Sequence, residues 1–160
     1  MSLLENYPLW ASLASIGIAQ AIKVPLHFIT HRTWQWGLLF STGGMPSSHS
    51  AAVTGLATAI GMTEGFHSAF FALSVVFAVI VMFDAAGVRR HAGEHAALLN
   101  SLLEDFRSLQ EDLKHFRIKP FREQNRQKLK ELLGHQPAEV LVGGSVGIIM
   151  ALALSTCFDL

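Results

Sequence analysis

The segment Gly43-Gly44-Met45-Pro46-Ser47-Ser48-His49-Ser50 stands immediately before an apolar run, and its residue types suit an anion. Gly43 and Gly44 let the backbone approach a ligand closely. Pro46 fits a helix start, and Ser47 and Ser48 can cap the amides that a helix start leaves unpaired. Such amides, with the positive end of the helix dipole, form a site for phosphate. His49 then falls in the first turn, where it can hand a proton to an ester oxygen. The plainer alternative is a capped helix with an incidental histidine.

A second segment, Gly134-His135-Gln136-Pro137-Ala138-Glu139, also leads straight into an apolar run. Residues four apart share a helix face, so the Glu139 carboxylate can reach the His135 ring. A carboxylate there fixes one tautomer and stabilises the cationic form, leaving the other nitrogen as a nucleophile. A helix-start pair without chemistry is the alternative. A third cluster, Asp84-Ala85-Ala86-Gly87-Val88-Arg89-Arg90, places two arginines beside an apolar run. Arg89 and Arg90 can grip phosphate oxygens through planar hydrogen-bond forks, or serve only as membrane anchors. Lys23 has the same two readings, phosphate ligand or snorkelling anchor.

The elements that must position these groups are membrane helices. Of 160 residues 51% are hydrophobic and only 15% charged, and the mean hydropathy is +0.38. Apolar stretches occupy 8–22, 50–62, 69–83 and 140–158. A span needs about 20 mostly apolar residues, which the third and fourth approach. The second is rich in Ala and Gly, as in helices that pack closely inside a bundle. The expectation is one all-α integral-membrane bundle of about four spans, near 8–23, 49–63, 67–84 and 138–158, forming a single domain over 1–160. The N-terminus has no basic region ahead of its apolar run, which argues against a cleaved signal peptide. The lone Cys157 excludes an internal disulfide and reads as a small hydrophobe.

A polar insertion over about 91–134 separates the last two spans. Leu98, Leu102, Leu103, Phe106, Leu109 and Leu113 recur at helical spacing, which predicts an amphipathic helix. Pro120 interrupts it, and a second helix is expected over 121–133, ending at Gly134. This hairpin packs on the bundle in the simplest reading; contact with anionic lipid or a second copy of the chain stays open, and so does homo-oligomerisation. Twelve basic and twelve acidic residues cancel, so the net charge gives no reason to expect nucleic acid. Ten of the twelve Lys and Arg lie within 89–130, which assigns that segment to the cytoplasmic side. Tracing the spans from there brings Lys23, 46–49, 84–90 and 135–139 to the same face of an inner membrane of cell or plastid type.

Lys23, the PSSH segment 46–49, and the GHxxxE of 134–139 followed by VLVGGSVG resemble the type 2 phosphatidic acid phosphatase superfamily. That superfamily includes lipid phosphate phosphatases, bacterial acid phosphatases and vanadium haloperoxidases. The layout of GGMPSSHSA, DAAGVRR and GHQPAEVL is similar to its divergent, small membrane branch, over roughly residues 15–155. The resemblance implies that Lys23, Gly44, Ser47, Ser48, Arg89 and Arg90 bind phosphate. It implies His49 as the general acid and His135, supported by Glu139, as the nucleophile. Ser48 replaces the glycine of the superfamily's PSGH motif, and Glu139 replaces an aspartate. The motif arginine expected six residues before His135 is Leu129, so Arg89 or Arg90 is assigned its charge. Arg32 follows Lys23 at a different interval from the motif and lacks the proline after it. A competing alignment joins Arg89 with His95 but then puts Leu99 in the acidic position.

These residues together imply a membrane phosphatase that cleaves a lipid phosphomonoester or diphosphate through phosphohistidine, without cofactor or metal. Its partners would be the lipid phosphate and membrane lipids. The alternative is a phosphate- or phospholipid-binding membrane protein with a degenerate site. Asp84-x-x-Gly87 with Arg89 faintly resembles CDP-alcohol phosphotransferases, but Asp84 lacks the companion aspartates that a divalent cation needs.

Overall fold

The computed structural model describes residues 3–41, 43–114 and 135–158, and among them every regular element is helical. Helix α1 spans Tyr7–His31, α2 Ser48–Glu64, α3 Ala69–Ala86, α4 Val88–Lys114 and α5 Pro137–Ser155, with short 3-10 turns at Leu3–Glu5 and Trp36–Phe40. The expected second helix of the hairpin, 121–133, lies outside the described residues.

Local chemistry sets the helix ends. Asn6 Oδ1 accepts from the Leu9 amide at 3.1 Å and Pro8 occupies the first turn, which starts α1. Arg32 closes it in the left-handed conformation, φ 57°, its amide donating to the Phe28 carbonyl. The helix therefore runs eight residues past Lys23, where apolarity alone had suggested an end. Ser47 Oγ caps α2 through the Ser50 amide, and Gly65 at φ 87° ends it. Ser68 caps α3 through the Phe71 amide at 3.1 Å.

Helix α2 is the hub, touching α1, α3 and α5. Its small residues Ala51, Gly55, Ala59 and Gly61 are buried, which lets neighbouring backbones come close. On α5, a Cβ at Gly143 would strike the Ser47 backbone, and one at Gly147 would strike the Ala51 carbonyl. Thr54 Oγ1 donates to the Gly144 carbonyl at 2.9 Å, across the same seam. At the opposite end Tyr7, Ala11, Ala59 and Ala151 form the core. The Tyr7 hydroxyl donates to the Ala151 carbonyl at 2.8 Å, so α1 runs antiparallel to α5.

Outward faces are apolar. Phe70, Leu73, Val79, Ile80 and Phe83 on α3 are all more than half exposed, as a lipid-facing surface requires. Helices α1, α3 and α5 are long and apolar enough to cross a bilayer. Helix α2, at 17 residues, would extend only about 26 Å at 1.5 Å per residue, a little short of a roughly 30 Å hydrocarbon core. This is an all-α membrane bundle. Helix α4 leaves it at Gly87; on the described part of the polar insertion, Ala96 and Asn100 are buried while Leu98, Leu102, Phe106 and Leu109 are exposed.

Candidate active site

The starts of α2 and α5, the end of α3 and the Lys23 turn of α1 meet at one face of the bundle, tied by backbone hydrogen bonds and by the lysine side chain. The Ser47 amide, just before α2, donates to the Glu139 carbonyl in the first turn of α5 at 3.0 Å. The His135 amide donates to the Ala85 carbonyl, in the last turn of α3, at 2.9 Å. From α1, Lys23 Nζ donates to the Ser41 carbonyl at 3.0 Å and the Gly43 carbonyl at 3.1 Å. Two segments 86 residues apart in the chain are thereby brought together, and the His49 and His135 ring centroids lie 6.3 Å apart.

His135 is 2% exposed. Its Nδ1 lies 3.0 Å from Glu139 Oε2, and a carboxylate there accepts only, so Nδ1 is the donor and the neutral ring with this tautomer has its lone pair on Nε2. Nε2 is buried and has no hydrogen-bond partner among the described residues. Glu139 is itself held: the Gln136 amide also donates to Oε2, at 3.1 Å, from the turn that starts α5. This carboxylate thus fixes both a helix start and an imidazole. His49 lies in the first turn of α2 and is exposed, so its ring is accessible beside the buried one.

The other expected ligands are distributed unevenly. Lys23 is 2% exposed within α1, and its ammonium binds the loop carbonyls of Ser41 and Gly43 where the sequence suggested only an anion ligand or an anchor. Gly44 takes φ 86°, a conformation glycine adopts without steric cost. Ser47 and Ser48 are buried, but the Ser47 amide is committed to Glu139, so the amide cup expected over Gly44–Ser48 is smaller by one donor. Ser48 opens α2, where a helix start leaves amides without intrahelical partners. Arg89 is the second residue of α4. Arg90 Nε donates to Glu94 Oε1 at 3.0 Å on the surface, and the His91 ring meets the other oxygen at 3.1 Å. Asp84 is half-buried near the end of α3, and Arg32 is exposed at the end of α1. No group of three or more His, Cys, Asp or Glu able to hold a metal exists among the described residues.

A cavity of about 320 Å³ adjoins this cluster. Lys23, Gly44 and Glu139 form its polar end and Leu26, Leu38 and Met45 its apolar wall. The cavity and the lysine clamp were missed in the sequence because both depend on how 32–41 and 43–46, between α1 and α2, fold back on α1. The α2–α5 seam did leave a signal, the glycines at 143, 144 and 147.

A family profile described as the divergent PAP2 family matches residues 4–150. The chain belongs to that family. It is also 54% identical over 158 residues to the membrane protein YuiD of Bacillus subtilis (strain 168), covering 99% of each chain. No solved structure matches it. Family membership agrees with the resemblance carried by the PSSH and GHxxxE segments, and the protein is a membrane protein.

Proposed function

We propose that this member of the divergent PAP2 family is a phosphatase acting on a lipid phosphomonoester or diphosphate at the cytoplasmic face of the membrane. The observation that carries the reading is His135: one nitrogen bonded to Glu139, the other buried without a partner, and His49 6.3 Å away between ring centroids. His135 Nε2 attacks the terminal phosphorus, the bond from that phosphorus to the alcohol oxygen of a monoester or to the bridging oxygen of a diphosphate breaks, and His49 gives the departing oxygen its proton. Water, deprotonated by His49, then cleaves the phosphorus–nitrogen bond and releases inorganic phosphate. Lys23 and the Ser48 amide offer positive charge to the phosphoryl oxygens; two N–H groups of the ammonium hold the Ser41 and Gly43 carbonyls, and the third serves phosphate. Arg89 and Arg90 begin α4, one turn beyond the docked His135, and Arg90 exchanges Glu94 for phosphate if it takes part.

Purified protein in nanodiscs, given phosphatidic acid, phosphatidylglycerol phosphate and polyprenyl phosphates, tests this directly. Phosphate release that survives EDTA and disappears in His135→Ala is the expected result. Release from no substrate, or unchanged release in His135→Ala, overturns it. A non-catalytic phosphate-binding protein is the second reading, favoured by the Arg90–Glu94 pair and by Leu129 in place of the motif arginine.

A further inference from the structure

The 320 Å³ cavity touches three groups of the cluster, Lys23, Gly44 and Glu139, yet most of its wall is not needed to hold phosphate. Leu26 and Leu38 face it from α1 and from the 3-10 turn that packs on α1, and Met45 closes the side next to Pro46. Its volume sits at the low end of the roughly 300–1,000 Å³ typical of ligand pockets. That is room for a charged head and the first carbons of a chain. His27 and Thr30 lie further along α1 on the same wall. On the same stretch of α1 the half-buried Phe28 stacks on the exposed Trp34, and Trp34 on the exposed Trp36, with centroid separations of 4.4 and 5.7 Å. Exposed aromatic rings of this kind sit at the level of lipid head groups.

We infer that this cavity is the slot for the alcohol portion of the substrate, reached from the bilayer along α1, with Leu26 and Leu38 setting which chain fits. The inference rests on the phosphatase reading and adds the substrate's shape: an ester whose first carbons form a slender apolar chain. A phosphate on Lys23 leaves its chain lying between Leu26 and Leu38, with the remainder emerging beside the aromatic stack into lipid. Neither leucine is part of the reacting cluster, so filling the slot affects selection of the ester and spares the chemistry.

The experiment compares hydrolysis of dodecyl phosphate and glycerol phosphate by wild type, Leu38→Trp and Leu26→Trp in nanodiscs. It also measures calorimetric binding of dodecylphosphonate, which cannot be hydrolysed. The slot predicts a rise in KM for dodecyl phosphate of at least about tenfold, the lower end of what hydrophobic pockets discriminate, with kcat/KM for glycerol phosphate nearly unchanged. Phosphonate binding should weaken in parallel. Leu38→Ala, which widens the slot without threatening the fold, should accept a branched-chain alkyl phosphate better than wild type does. Equal slowing of both esters, or no change in either, overturns the slot while leaving the phosphatase reading intact. If wild type hydrolyses neither ester, phosphonate binding alone decides: binding lost in the Trp variants supports the slot, and absent or undiminished binding overturns it, while the phosphatase reading stands or falls on the lipid phosphate panel.

Discussion

The Ser47 amide donates to the Glu139 carbonyl, joining the starts of α2 and α5 at 3.0 Å. Both helices begin at this face and run away from it side by side, so the bond sets their register. One residue of slip would carry His49 and His135 apart. The register also depends on contact along the seam, where Gly143 and Gly147 let α5 lie directly against the α2 backbone.

Gly143→Ala should therefore be among the most damaging small substitutions in the protein. Its methyl group would strike the Ser47 backbone, which cannot yield as a flexible side chain can. A loss of about 1–3 kcal/mol is expected for such overpacking, together with lost turnover as the two rings separate. Gly144→Ala is the control: its nearest neighbours, Thr54 Cγ2 and Met82 Cε, stand at 3.5 and 3.7 Å. Thermal unfolding of both variants in detergent checks the contrast, and equal melting temperatures would contradict it.

Glu139→Gln should separate orientation from nucleophilicity. The amide can still accept from the Gln136 amide and from His135 Nδ1, preserving the start of α5, but it cannot stabilise an imidazolium. Activity should fall by about 10²–10⁴-fold, the range for loss of positioned acid–base support, with little change in melting temperature. Steady-state phosphate release beside a thermal melt makes the comparison. A variant that unfolds, or one with full activity, contradicts the assignment.

The helices were readable from apolar runs, and the two histidine segments from glycine, proline and serine placed before them. What escaped was the end of α1, because a buried Lys23 and an internal Pro25 interrupt the apolar pattern while the helix continues to His31. The committed amide of Ser47 escaped too, since motif residues suggest available donors and only the fold shows which are already taken. Arg90 illustrates the same limit. Its neighbour Glu94, four residues along the same helix face, competes for the charge that the motif reading assigned to phosphate.

Lys23→Met should loosen the loop before α2. The ammonium donates to the carbonyls of Ser41 and Gly43, and hydrogen bonds to charged groups contribute about 1.5–3 kcal/mol. Amide exchange over 43–45 should accelerate in the variant, and KM for any phosphate substrate should rise. Lys23→Arg should not restore either property, because a planar fork replaces a compact charge. Wild-type exchange in Lys23→Met would show that the clamp is incidental.

Acidification should weaken the start of α4. The hydrogen bond from Arg90, and after it the one from His91, holds the Glu94 carboxyl below its usual range. A carboxylate depressed in the folded state stabilises fully above its unfolded value, near about 4.3 for Glu, and the contribution disappears as pH falls through the folded value. Both partners are exposed, so the effect is small and should shrink further in salt. Amide exchange over 88–98, followed downward from pH near about 5, should show the loss in wild type and none in Glu94→Gln.

Sidedness gives the last prediction. Helix α5 has 19 residues, about 28 Å at 1.5 Å per residue, which matches a hydrocarbon core of roughly 30 Å. His135 precedes it and the exposed Cys157 follows it, so the two should lie on opposite faces. Ten of the twelve Lys and Arg lie within 89–130, and basic connecting segments stay in the cytoplasm. In right-side-out vesicles a membrane-impermeant maleimide should label Cys157 from outside. Ser101→Cys on α4, in a Cys157→Ser background, should react only after the vesicles are inverted. Labelling of both positions from one side would mean that α5 does not cross, and the inward-facing site would lose its basis.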